Sequence, residues 1–200
     1  FPPHSEKQIS RAECRRKFGF QNTEIVIVSI ARINKEKGYH ILEAAIQEVK
    51  FDKNVKFLIA GEGSYLDEMK SALKEQVKAG QVIFLGHRKD IEEVNMAGDI
   101  FVLPTLHETL SVALLEASLA KLALIASDTG GVPEIVETSL NGILVPPGDS
   151  SAIVSAIKRL TDDDSFRLKC GVEAYKKLKD KFDNDKLALQ LDNVYSNLLK

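Results

Sequence analysis

Along the 200-residue chain, short apolar runs alternate with stretches whose apolar residues fall at helical spacing. Residues 25–30 (IVIVSI), 55–60 (VKFLIA), 81–85, 100–103, 122–126 and 142–145 are β-rich and bounded by turn residues, which predicts buried strands. Between the first two, residues 39–50 place apolar side chains at 41, 42, 45, 46 and 49, one face of an amphipathic helix. The same reasoning predicts helices over about 65–78, 91–97, a stretch from near Ser111 that contains Glu116, and 133–137. Three more, over about 151–161, 165–179 and 185–199, close the chain. Strands alternating with helices imply βαβ units: an α/β, Rossmann-like parallel sheet with helices on both faces. In such sheets ligands bind in the crevice beyond the carboxyl ends of the strands, so the loops there are the places to look for chemistry.

One segment breaks the pattern. Residues 107–120, HETLSVALLEASLA, are apolar apart from a few polar groups, yet Glu108 and Glu116 stand eight residues apart with no charge between them. A stretch this apolar is expected to pack inside, and a buried carboxylate is costly unless it is paired or hydrogen-bonded. Either Glu alone reads as a helix cap or a partner for a basic neighbour; the two together point to a site. With a helix start near Ser111, Glu116 lies roughly 7–8 Å along the axis, and Glu108 sits just before the free N–H groups of the helix end. A phosphate suits those N–H groups, and hydroxyl-rich groups on either side of it suit the carboxylates.

The other loops add to this. After the first strand, Arg32 and Lys37 precede a helix start, an arrangement suited to anions; a solvated turn is the plainer alternative. After the second come Gly61-Glu62-Gly63, where glycines let backbone approach a ligand or simply turn. No third glycine follows, so this is not the dinucleotide fingerprint. After the third, Asp90 is expected to cap the next helix, while His87 and Arg88 either flank a flat base or lie on the surface. After the fifth, Gly130-Gly131 lead Pro133 into a helix start.

Composition narrows the partners. Hydrophobic residues make up 44% and charged residues 28%, as in ordinary globular domains. A net charge of −2 without a basic block argues against nucleic acid. No apolar run approaches the ~20 residues of a membrane span. The two cysteines, Cys14 and Cys170, sit apart and read as free thiols of a reducing compartment. No Cys/His pair has metal-ligand spacing, so no metal site is expected. The opening Phe-Pro-Pro reads as a linker within something longer.

Taken in order, the loops resemble a known family. The residues that carry the resemblance are Arg15-Arg16-Lys17-Phe18-Gly19, Ala31-Arg32 with Lys37-Gly38, Gly61-Glu62-Gly63 and Gly86 through Ile91. Ala97 through Pro104, Glu108-x7-Glu116-Ala117, Ser127 through Val136 and Asn141 through Asp149 complete them. The chain is similar to the C-terminal, donor-binding domain of retaining glycosyltransferases of two-domain GT-B architecture, the glycogen-synthase-like group 1 family. The resemblance implies a UDP- or GDP-linked sugar donor as substrate, no separate cofactor and no metal. It implies that Arg32 and Lys37 hold the donor diphosphate, that Glu108 stands near the sugar and that Glu116 takes the ribose hydroxyls. Backbone around Thr109, Leu110, Ser111 and Val112 would face sugar and phosphate, Gly61 and Gly63 would line the donor, and Arg88 would flank the base. It also implies a domain plan: residues 1–20 as linker and first helix, 21–182 as the nucleotide-sugar-binding domain, and 183–200 as a helix returning to an absent N-terminal acceptor domain. Localisation would be cytoplasmic, with association at the inner face of the membrane through that absent domain left open. Two departures stand out: Thr109 where the family usually has Gly, and Lys121-Leu122-Ala123 where Gly-x-Pro often follows the helix. The alternatives are a non-catalytic donor-binding module and a GT-B sugar-nucleotide epimerase. A glycine conformation forced on Thr109 would cost energy and favour the module.

Overall fold

The computed structural model describes residues 10–48, 54–182, 188, 192 and 194–196. The elements run α1 (Arg11–Lys17), β1 (Ile25–Ile30), α2 (Tyr39–Glu48), β2 (Val55–Ala60), α3 (Leu66–Ala72), α4 (Lys74–Lys78), β3 (Val82–Gly86) and α5 (Ile91–Met96). They continue with β4 (Ile100–Leu103), α6 (Val112–Leu119), β5 (Ala123–Ser127), α7 (Val132–Ile135), β6 (Gly142–Val145), α8 (Ser150–Asp162) and α9 (Asp164–Lys181). All six strands pair in parallel, in the order β3-β2-β1-β4-β5-β6. The fold is therefore the expected Rossmann-like α/β sheet, and its strand order reverses direction between β1 and β4.

Alternation along the strands builds a core on each face. On β1, Ile27 belongs to one apolar cluster and Val26 and Val28 to the other; on β2, Phe57 and Ile59 face one way, Leu58 and Ala60 the other. Both sides of these strands are buried, so they read as continuous apolar runs. Cys14 and Cys170 are free and fully buried within these clusters, and burial pushes both thiols up.

Two local expectations change. The helix over 65–78 is two helices, broken at Leu73, whose side chain is fully buried and whose backbone (φ −95°, ψ 19°) leaves the helix to reach that position. The apolar segment after β4 does not pack entirely inside: Leu110 and Val112 are 43% and 60% exposed, because they flank a helix end that opens onto the crevice. The linker over residues 1–9, the end of the second helix at 49–50 and most of the helix expected over 185–199 lie outside the described residues. Within that last stretch Val194 is described, and it is exposed.

The first helix is fixed by a capping box between Ser10 and Glu13 and by a buried arginine. Arg15 donates to the carbonyls of Gln21, Glu24 and Ala97 and to Asp99, which also accepts the Val26 N–H at 2.8 Å and Arg11 at 2.5 Å. Asp99 thus ties α1 to the start of β1. No described helix is long and apolar enough to cross a membrane.

Candidate functional site

The β1–α2 and β4–α6 loops meet at the reversal point of the sheet. Lys37 and Glu108, 71 residues apart in sequence, form an ion pair at 2.9 Å, with side chains 20% and 13% exposed. Backbone locks the same two loops: the Leu106 N–H donates to Glu36 O at 3.0 Å. The β5–α7 loop supports them from the other side. A Cβ on Gly130 would stand 1.6 Å from Glu108 O, and one on Gly131 1.9 Å from Thr109 O. These glycines are therefore required by the close approach of the two backbones, rather than by a ligand.

Ser111 is the N-cap of α6, as expected. Its hydroxyl accepts the Leu114 N–H at 3.3 Å, and the residue is buried. Its side chain is thus committed to the helix, while the Val112 and Ala113 N–H groups, in the first turn, have no intrahelical acceptor. Thr109 is exposed, and its N–H donates to Glu108 Oε1 at 3.2 Å. Among the described residues, the non-glycine positions at positive φ are Lys121 (59°) and Ser139 (70°). The glycine conformation feared at Thr109 is absent there, and the strain falls on the second departure, Lys121.

Glu116 lies in the second turn of α6, partly buried, and no described residue bonds or pairs with its carboxylate. Burial raises its pKa above the ordinary carboxylate value. A desolvated carboxylate left without a partner is unfavourable in itself and suited to accepting hydrogen bonds from a ligand.

Beyond the ends of β1, β2 and β3 lies a cleft of 550 Å³, lined among others by Ala31, Arg32, Gly61, Gly63 and Arg88. That volume is in the range of small-molecule sites. The glycines form its wall by close packing: a Cβ on Gly61 would lie 2.0 Å from Ala31 O, and one on Gly63 2.3 Å from Ile33 O. Arg32 is exposed in the cleft and makes no ion pair with a described residue. Arg88 is instead held by Asp90, through Nε to Oδ1 at 2.8 Å and Nη2 to Oδ2 at 2.5 Å.

That contact corrects the expectation that Asp90 caps α5. It is the N-cap residue, but its side chain makes no capping bond, because Arg88 and Lys17 occupy both oxygens. The anion site expected at the α2 N-terminus is likewise changed. The Lys37 N–H goes to Asn34 Oδ1 at 2.8 Å and the Tyr39 N–H to Asn34 O at 3.4 Å, so these two groups are taken up by the loop itself.

The expected residues therefore form two groups joined by the β1–α2 loop. Arg32, Gly61, Gly63 and Arg88 line the cleft, while Lys37, Glu108 and the α6 N-terminus lie across the reversal point. Sequence reasoning left Glu62 and Ile91 unassigned, although both line the cleft. The position of Glu62 between the two glycines was the available signal. Among the described residues, no three His, Cys, Asp or Glu side chains gather as a metal cluster.

Comparison with known proteins agrees with this architecture. The sequence pattern of the family described as glycosyl transferases group 1 matches residues 10–177. An uncharacterized glycosyltransferase of Methanocaldococcus jannaschii is 29% identical over 183 residues, covering 90% of this chain and 47% of that protein. The C-terminal domain of a group 1 glycosyl transferase, LpcC, from Francisella tularensis superposes with a TM-score of 0.76 at 28% identity, covering 90% of this chain and 95% of that one. Anabaena HepE, crystallised with UDP, superposes with a TM-score of 0.85 at 24% identity, covering 94% of this chain and 52% of that one. The chain belongs to the group 1 glycosyltransferase family and corresponds to the C-terminal half of the GT-B architecture. It spans about half the length of the curated relatives it matches.

Proposed function

We propose that this chain is the nucleotide-sugar donor domain of a retaining, metal-independent glycosyltransferase, which transfers a hexose-type sugar to an acceptor held by an N-terminal domain. The observation that carries the reading is the junction of Lys37 and Glu108 across the sheet reversal, beside the open N-terminus of α6 and Glu116, which has no partner among the described residues. In this reading a UDP- or GDP-linked donor places its base in the cleft by Arg88 and its ribose hydroxyls on Glu116. The diphosphate lies between Arg32, Lys37 and the α6 N–H groups. Glu108 turns from Lys37 to the sugar hydroxyls as the phosphate takes over the lysine.

The bond from sugar C1 to the diphosphate oxygen breaks, the acceptor oxygen bonds C1 on the same face, and the acceptor hydroxyl proton passes to an oxygen of the leaving diphosphate. The leaving diphosphate gains negative charge as that bond breaks. Fixed cations and N–H dipoles aimed at it stabilise the transition state more than the ground state. The reported UDP and UDP-glucose complexes of HepE support a nucleotide donor. Of the two departures that keep the non-catalytic module as the alternative, Thr109 lies in ordinary backbone geometry and Lys121 in the left-handed region.

Steady-state kinetics of the longer protein carrying this domain test the assignment. Arg32→Ala is expected to lower kcat by about 10²–10³-fold, the scale of a lost transition-state donor. Glu116→Ala is expected chiefly to raise the donor KM, by roughly tenfold or more. Unchanged kinetics in both variants would refute the site. The 200-residue chain alone is expected to transfer no sugar.

A further inference from the structure

Two arginines line the cleft, and their partners divide them. Arg32 has no partner among the described residues, so its N–H fork is open to phosphate oxygens. Arg88 has spent that fork on Asp90: Nε and Nη2 bond the two carboxylate oxygens at 2.8 and 2.5 Å. A guanidinium held at two adjacent nitrogens cannot rotate about its long axis, so its plane is set by the carboxylate. The carboxylate leaves the guanidinium faces open, together with both N–H groups of Nη1 and one of Nη2.

Asp90 is itself anchored. Lys17 on α1 donates to Asp90 Oδ2 at 2.7 Å and to Glu93 Oε2 at 2.6 Å. Phe18, next in sequence, lies under both cations, with its ring centre 5.6 Å from Lys17 Nζ and 5.9 Å from Arg88 Cζ. The four charges of Lys17, Arg88, Asp90 and Glu93 cancel. Arg88 therefore offers little net attraction to a phosphate and a rigid flat surface to a ring. The arrangement also explains why Asp90, at the helix N-cap position, forgoes the capping bond.

We propose that Asp90 is a positioning residue for nucleobase recognition: with Lys17 of α1 behind it, it fixes the Arg88 guanidinium as a stacking plate for the base of the donor. This rests on the donor-domain reading above and assigns to α1 a part in base recognition through the Lys17–Asp90–Arg88 relay. The base-binding side of the cleft is then built from α1 and the β3–α5 loop together, whereas the phosphate side is built from the β1–α2 and β4–α6 loops.

The test is a calorimetric double-mutant cycle on the 200-residue chain, with UDP, GDP and inorganic pyrophosphate as probes. Arg88→Ala and Asp90→Asn should each weaken the better-bound nucleoside diphosphate by about tenfold, the loss expected from one loosened base–guanidinium stack. Pyrophosphate, which has no base, should bind both variants as it binds the parent. Asp90→Asn added to Arg88→Ala should cost nothing further, because Asp90 acts through Arg88. Additive losses, an equal loss of pyrophosphate binding, or unchanged nucleoside diphosphate binding would overturn the proposal. A thermal midpoint for each variant separates misfolding from lost recognition, and Asp90→Glu, which keeps the carboxylate, should recover part of the affinity. If the parent binds pyrophosphate but neither nucleoside diphosphate better, the donor reading itself falls.

Discussion

At the scale of single residues, Glu116 is a group whose position works against stability. Its carboxylate is partly buried, has no partner among the described residues, and has its pKa raised by burial. A raised carboxylate pKa means the folded state binds the proton more tightly than the unfolded chain. Stability is then lost as pH rises from the unfolded value, near 4.5, through the folded one, and the full penalty stands at neutral pH. Glu116→Gln keeps the shape and removes the charge. The variant is expected to melt at higher temperature than the parent at pH 7, and the gain should fade as pH falls below about 4.5. A thermal scan across pH 4–8 checks this; a variant no more stable at pH 7 would mean the carboxylate is better solvated than its burial implies. Both glutamates were legible from sequence, because charge in an apolar run is conspicuous. The partner of Glu108 was not: nothing local in the chain tells Lys37 that Glu108, 71 residues on, will be 2.9 Å away.

At the scale of elements, the strands were the most legible. Burial on both faces makes them continuous apolar runs, and all six were located to within a residue at each end, β1, β2, β4 and β6 without any shift. Helices and turns were legible where their chemistry is local, as at the Ser111 cap, and misread where tertiary contacts compete. Asp90 has the residue type and position of a cap, but Arg88 and Lys17 take its oxygens. Leu110 and Val112 look like core residues by composition and stand exposed at a helix end. Of the two departures from the family pattern, Thr109 costs nothing, while Lys121 holds φ at 59° in the turn between α6 and β5. That turn is pressed against α9: Gly171 would place a Cβ 2.0 Å from Lys121 O, and Lys121 Nζ lies 5.0 Å from the Tyr175 ring centre. A left-handed conformation costs a non-glycine residue roughly 1–2 kcal/mol, and the exposed cation–π contact returns about 0.5–1 kcal/mol. Lys121→Gly is therefore expected to raise unfolding free energy modestly, by about 0.5 kcal/mol, measured by urea denaturation. It should leave nucleoside diphosphate affinity unchanged, since the turn lies at the opposite end of α6 from the site.

At the scale of the whole molecule, the β3-β2-β1-β4-β5-β6 order makes the loops after β1 and β4 neighbours. A site at that reversal needs no residues close in sequence, only residues after the right strands. This is why loop-by-loop reading found Arg32, Lys37, Glu108 and Glu116 as a set, while each loop alone was equivocal. The same topology places Arg88, after β3, at the far side of the cleft, so a ligand engaging all of these groups must be long, with its charge at the middle. A nucleoside diphosphate sugar has that form. The most direct test is calorimetric titration of the 200-residue chain with UDP and GDP and with their hexose conjugates. The account predicts one site for one of the two nucleotides, with affinity reduced about tenfold or more in both Arg32→Ala and Glu116→Ala. Absence of binding by every one of these ligands, or variants that bind as tightly as the parent, would contradict it.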